Sequence, residues 1–292
     1  MKKVLVLAAF AAALVSCKIE GTEVETPKMQ ISLSMEIGTK ATDTYFEHGD
    51  VVGIYVVNYN GSTAGTLASS GNHYDNVKHT LGEKWNAETP MYWDDKETHA
   101  DFYCYYPYGT PTDVNSYSFS VKADQSSETD YKASDFIWGK ATDIAPTENT
   151  IQIGTRHLMS NALIYVKPGS GFTAEKFAAA DIRVNVCNVM TDANINLADG
   201  TVTASGQTTD LTPFKENDHY RAIIVPQTVP SSADSLIRVT IDGVAYNLVK
   251  SFTFVSGEQH KFTVVVNKTS SGINVGISDW KSDGTDNGGS AE

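Results

Sequence analysis

Between residues 29 and 37 the chain alternates apolar Met29, Ile31, Leu33, Met35 and Ile37 with polar Gln30, Ser32, Ser34 and Glu36, and this period of two recurs along most of its 292 residues. Such alternation sets one face of an extended segment on a core and the other in water, whereas a helix needs a period of 3.6. The segment therefore predicts a half-buried antiparallel strand. Further strands are expected over residues 51–57, 74–79, 100–106, 116–121, 136–138, 150–153 and 158–166. Beyond the turn Pro168-Gly169-Ser170-Gly171 they resume at 182–189, 195–197, 201–204, 220–225, 236–241, 244–254, 261–266 and 273–277. Asp242-Gly243, between two alternating runs, predicts a hairpin. One short helix is expected, over residues 173–180. The abundance of glycine, tyrosine and phenylalanine (22, 14 and 11 residues) suits strands and tight turns and argues against a helical fold.

At the N-terminus Lys2 and Lys3 precede an apolar run over residues 4–15 that stops at Ser16-Cys17. The run is shorter than the ~20 apolar residues that span a bilayer, so it reads as an export signal removed on maturation. Leu14-Val15-Ser16-Cys17 resembles the lipobox of bacterial lipoproteins, where cleavage leaves the cysteine as the new N-terminus and acyl chains join its thiol and amine. A plain secretory signal that ends in cysteine is the alternative. Acyl chains at about 0.8 kcal/mol per buried CH₂ would hold Cys17 firmly on a membrane. In the lipoprotein class an aspartate after the cysteine marks inner-membrane retention, and Lys18 stands there instead, which by that resemblance implies the outer membrane.

These features divide the chain into a signal peptide (1–16), a lipidated tether (17–28), an N-terminal β-sandwich (29–155), a C-terminal β-sandwich (156–281) and a flexible tail (282–292). The loop over residues 139–149, with Pro146, loosens the chain just before the expected boundary.

The formal charge of −13, from 22 basic and 35 acidic residues, disfavours a nucleic-acid partner. Apart from Cys17 there are two cysteines, Cys104 and Cys187, far apart in the chain and read as separate thiols rather than a disulfide. No metal-ligand, nucleophile-elbow, phosphate-loop or dinucleotide motif is present, so neither an enzyme nor a cofactor is expected. The histidines at 48, 73, 79, 99, 157, 219 and 260 share no metal-ligand spacing. Asp94-Asp95-Lys96-Glu97 and the pair Asp283 and Asp286 fit no calcium loop and read as solvated turns. The aromatic run Phe102-Tyr103-Cys104-Tyr105-Tyr106-Pro107-Tyr108 has two readings. It could present a sugar-stacking platform, with Trp85, Trp93, Tyr103, Tyr105 and Trp280 as candidates, or it could fill the core with Phe102 and Tyr106 while Tyr103 and Tyr105 cover the opposite face or meet the second domain.

Several stretches, in order, resemble the fimbrillin-like lipoproteins of Bacteroidales-type bacteria, the subunits of type V pili. They begin with Thr39-Lys40-Ala41-Thr42 and Phe46-Glu47-His48-Gly49-Asp50-Val51-Val52-Gly53-Ile54-Tyr55. Met91-Tyr92-Trp93, Asp101-Phe102-Tyr103, Ser134-Asp135-Phe136 and Arg156-His157-Leu158-Met159-Ser160 follow. The series ends with Ala222-Ile223-Ile224-Val225-Pro226-Gln227, Gly257-Glu258-Gln259-His260 and Ile277-Ser278-Asp279-Trp280. The resemblance implies an all-β chain of two transthyretin-like antiparallel β-sandwich domains in tandem. It also implies a non-enzymatic role as a stalk, anchor or tip subunit, with other pilus subunits as partners and a host or bacterial surface as a further ligand. In polymerising members a protease cuts after a basic residue near the first strand, and a strand from a neighbouring subunit fills the groove. Here the arginines, Arg156, Arg183, Arg221 and Arg238, all lie too far along the chain for such a cut. Lys40, before Ala41, is the candidate processing site, with Lys28 the other basic residue in reach and a plain solvent-exposed turn the alternative. Candidate donor strands are residues 261–266 and 273–277. A lipid-anchored glycan-binding protein of the same compartment is the competing function.

Cys17→Ser should abolish acylation and move the chain out of the membrane fraction, as read by intact mass and palmitate labelling. Acyl groups persisting on that variant would remove Cys17 from the account.

Overall fold

The computed structural model describes residues 28–37, 46–268 and 289–291. The signal peptide, Cys17, Lys40, Ala41, the strand expected at 273–277 and Trp280 lie outside the described residues.

The first part of the fold is a seven-stranded sheet built from β1 (Leu33–Ile37), β2 (Val51–Asn58), β3 (Tyr74–Leu81), β4 (Trp85–Ala87), β5 (Ala100–Tyr106), β7 (Ile137–Ile144) and β8 (Ile151–His157). Its spatial order is β1-β8-β7-β5-β2-β3-β4. A second sheet runs β11 (Thr201–Leu211), β10 (Ile182–Asn196), β15 (Ile237–Ile241), β16 (Val244–Leu248), and β6 (Tyr117–Ser120) also pairs with β10. A third runs β12 (Phe214–Glu216), β13 (His219–Ile224), β9 (Ser160–Pro168), β18 (Gln259–Val266), β19 (Gly289–Ala291). β14 (Gln227–Val229) and β17 (Phe252–Phe254) form a small ribbon, and two short helices, α1 (Glu128–Ala133) and α2 (Ala174–Ala178), complete the elements. The fold is all-β.

The central strands β2 and β5 are buried almost throughout because the first sheet is covered on both faces. Val52, Ile54, Val56, Phe102 and Cys104 enter one core together with Leu33, Met35, Ile151 and Ile153. Tyr55, Val57, Tyr103 and Tyr105 point the other way, into the core that the second and third sheets share. Phe102 and Tyr103 thus divide between two cores, whereas Tyr106 is only partly buried, packed at the rim of the first. Phe136, fully buried, stacks on Tyr105 with ring centroids 6.1 Å apart and meets Phe119 edge-on at 5.0 Å. Trp138 adds a polar tie by donating from Nε1 to the Leu197 carbonyl at 2.8 Å. β6, which precedes residue 155 in the chain, sits in the second sheet through pairs such as Phe119 with Ala193.

Several elements differ from the sequence expectation. β1 pairs in parallel with β8, because the chain returns to the sheet edge in the direction of β8 rather than by a hairpin. β7 continues to Ile144, through half of the expected loop, where Ala100 pairs with Ile144 across an irregularity in the β5 ladder. β10 is one long strand where two were expected, re-phased by shifts between Val186 and Val189 and between Met190 and Asp192, with Asn188 at φ 59°. The run 244–254 breaks into β16 and β17, whose partners are β15 and β14. α1 was not expected; it starts where the Ser127 hydroxyl accepts the Asp130 amide at 3.1 Å. α2 falls inside the expected helix, with Thr173 as its N-cap. Cys104 and Cys187 are separate buried free thiols in different sheets, and burial pushes both above the ordinary thiol range.

Phe136→Ala removes the ring that joins Tyr105, Tyr117 and Phe119. It should cost about 3–5 kcal/mol, seen as a lower urea midpoint. An unchanged midpoint would show that this ring cluster does not hold the core of the second and third sheets together.

Candidate functional site

Among the described residues β1 is paired along one edge. Its residues pair in parallel register with β8, from Leu33 opposite Ile151 to Ile37 opposite Thr155. The Ile151 amide donates to the Ser32 carbonyl at 2.9 Å, and the Thr155 hydroxyl donates to the Glu36 carbonyl at 3.0 Å. Just before β1 the chain also ties to residues 91–93, where Ile31 N donates to Met91 O and Trp93 N to Met29 O, both at 2.9 Å. From Leu33 onward the free edge of β1 faces an open groove of about 840 Å³, whose far wall includes Leu81, Trp85, Asn86 and Ala87. β1 and β4 are the two end strands of the seven-stranded sheet, so the groove marks the gap where that sheet fails to close on itself.

The floor and rim differ in character. Ile31, Leu33, Met35 and Ile37 are all buried, and each such side chain stabilises the fold by about 1.5–3 kcal/mol through apolar burial. Glu36, Glu83, Lys84 and Gln152 give the groove a mixed polar rim. Phe46 and Trp85 pack edge-on at 5.1 Å, and Phe46 meets Tyr106 at 5.9 Å. His79 lines the same groove while being almost wholly buried. Its Nδ1 donates to the Val77 carbonyl at 3.1 Å. Desolvation lowers its pKa, and the Val77 bond opposes that shift. An edge strand with unpaired backbone groups beside an apolar floor can accept an extended chain, with main-chain hydrogen bonds giving affinity and alternate side chains giving register.

The other candidates from the sequence separate clearly. Trp93, Tyr103 and Tyr105 are 2%, 4% and 1% exposed, so none is available to stack on a sugar. Trp93 Nε1 donates to Thr147 O at 3.1 Å, and Tyr105 Oη donates to Asn76 Oδ1 at 2.8 Å, as buried polar tips require. Trp85 is half-buried against Phe46. Asp95 accepts the Glu97 amide at 2.8 Å and the Thr98 amide and hydroxyl at 2.6 Å, bonds that lower its pKa and mark a closed turn. Among the described residues no group of three or more His, Cys, Asp or Glu side chains is arranged to hold a metal. The four arginines lie within strands β8, β10, β13 and β15. Sequence reasoning missed β4, the far wall of the groove, because three residues are too few to display alternation.

Residues 39–280 match the family described as fimbrillin-like. The chain belongs to the fimbrillin-like family. This fimbrillin-like chain is 25% identical to a Bacteroides uniformis protein named as a candidate fimbrium subunit, Fim1C, over 96% of its own length and 95% of that protein's. Among solved structures it shares its fold with a candidate cell adhesion protein of Bacteroides uniformis at TM-score 0.63 and 23% identity, over 82% of this chain and 95% of that one. A candidate cell adhesion protein of Bacteroides ovatus gives TM-score 0.62 at 16% identity, over 82% and 93% of the two chains.

The lowered pKa of His79 fixes the sign of a pH effect: the unfolded chain takes up the proton first, so stability falls as pH drops below the ordinary histidine value of about 6.5. His79→Gln should flatten the dependence of the urea midpoint between pH 7 and pH 5.5. An equally steep profile in that variant would assign the acid sensitivity to other groups.

Proposed function

We propose that this fimbrillin-like chain is a structural subunit of a cell-surface fimbria that supports adhesion, exported through residues 1–16 and lipidated at Cys17. We assign residues 29–155 and 156–281 to its two sandwich units, with 17–28 as tether, the first unit lending β6 to the second sheet and Gly289–Ala291 of the expected tail 282–292 pairing with β18. A cut between Lys40 and Ala41 then frees β1, and a strand from a neighbouring subunit takes its place. Its role is architectural rather than catalytic, and its partners are other pilus subunits of the same or different kind.

The observation that carries this reading is the position of β1. It is an edge strand paired on one side, its apolar side chains complete a core, and its other side borders an open groove. Lys40 follows within a few residues of Ile37, and the stretch matched to the family begins at residue 39, past β1. Loss of β1 would expose Ile151, Ile153 and their neighbours, and an extended segment with apolar residues at alternate positions would cover them again. A head-to-tail contact of that type does not close on itself, so it propagates into a filament. The competing glycan-binding reading loses its main support, since Trp93, Tyr103 and Tyr105 are core residues.

N-terminal sequencing and intact mass of protein sheared from native cells test the proposal. A start at Ala41 without lipid is expected, and Lys40→Gln should leave the lipidated form and eliminate detergent-resistant ladders. A lipidated Cys17 as the sole species in fimbriae of the unaltered chain would overturn the processing step.

A further inference from the structure

Where the chain leaves β8 for β9, a small, partly open pocket of about 20 Å³ is lined by Asp135, His157, Met159, Asn161, Ile223, Gly257 and Glu258. Two buried acceptors of its lining residues, Asp135 Oδ1 and Asn161 Oδ1, have no hydrogen-bond partner among the described residues. Their companion atoms are committed elsewhere. Asp135 Oδ2 accepts from His157 Nδ1 at 2.7 Å, and Asn161 Nδ2 donates to Tyr131 Oη at 3.1 Å. Asn161 is 8% exposed and lies in β9 with Ile223 of β13 opposite it, so neither amide atom can turn out to bulk water without breaking the strand's packing. Backbone bonds fix the walls: Gly257 N donates to Met159 O, and Asn161 N to Glu258 O, both at 3.0 Å.

We propose that this pocket is a binding site for one ordered water molecule, which donates one hydrogen to Asp135 Oδ1 and the other to Asn161 Oδ1. The space exceeds the ~10–15 Å³ that a single water occupies by the same measure. Two unpartnered acceptors match the two donors of water, whereas a hard cation such as calcium takes 6–8 oxygen ligands. The water would bridge the segment between α1 and β7 to β9, tying the first sheet to the third at the crossing point.

A crystal structure of the mature chain, from crystals grown in sodium chloride and again in rubidium chloride, tests the site. The expected result is a water peak within hydrogen-bond distance of both oxygens in each crystal, with no anomalous signal. A rubidium peak there would replace water with a monovalent cation, and a turned Asn161 amide donating directly to Asp135 would remove the ligand altogether; either overturns the proposal. In solution, oxygen-17 relaxation dispersion should lose one long-lived water in Asn161→Leu, and an unchanged amplitude in a folded variant would also overturn it.

Discussion

Phe102 and Cys104 project from one face of β5 into the core beneath β1, while Tyr103 and Tyr105 project from the other face into the core of the second and third sheets. Burial on both faces makes this strand the shared wall of two hydrophobic cores. Such a strand has no solvent side, which is why all but one of its residues are apolar or aromatic instead of alternating with charged groups. The one charged residue within it, Asp101, is itself buried and is paired with Lys140 at 3.1 Å and with the Asp143 amide at 2.9 Å. The rest of the architecture is arranged around that wall. Phe136, Trp138 and β6 seal one side, and the rolled first sheet encloses the other.

Sheet edges then carry the functional meaning. The seven-stranded sheet ends in two strands of contrasting character, a three-residue β4 with Trp85 and an alternating β1 with a continuous apolar face. Short edge strands limit unwanted pairing, and β4 has that property. β1 does not; its security comes from the β8 ladder and from the side chains it buries. In the exchange proposed above, the edge of β8 that pairs with β1 would pair instead with a strand from another chain.

Much of this was legible in the sequence, for identifiable reasons. Residues 100–106 and 236–241 were placed because their apolar content and flanking turns leave little choice, and Thr173 marks a helix start by its side chain. That Phe102 lies on one face and Tyr103 and Tyr105 on the other follows from the two-residue period, whereas the burial of the tyrosine face in a second core, rather than on a sugar-stacking surface, does not. The parallel sense of β1 was not legible, since alternation fixes which face is buried but says nothing of a partner more than a hundred residues away. The continuity of β10 was hidden by its bulges, which shift the apolar phase midway and make one strand look like two. The groove itself was invisible, because it is defined by the absence of pairing between two segments that are distant in the chain.

The parallel alignment of β1 on β8 also determines how the strand can leave. Drawn out lengthwise, β1 would load its whole ladder at once, so rupture would require the bonds from Ser32 to Glu36 to yield together. Lifted sideways into the groove from the Ile37 end, away from the clasp that Met29 and Ile31 make with residues 91–93, it would peel one bond at a time. In the proposed exchange a segment entering from that open side would form its own ladder on β8 as the old one unzips, and the hydrophobic floor would stay covered throughout.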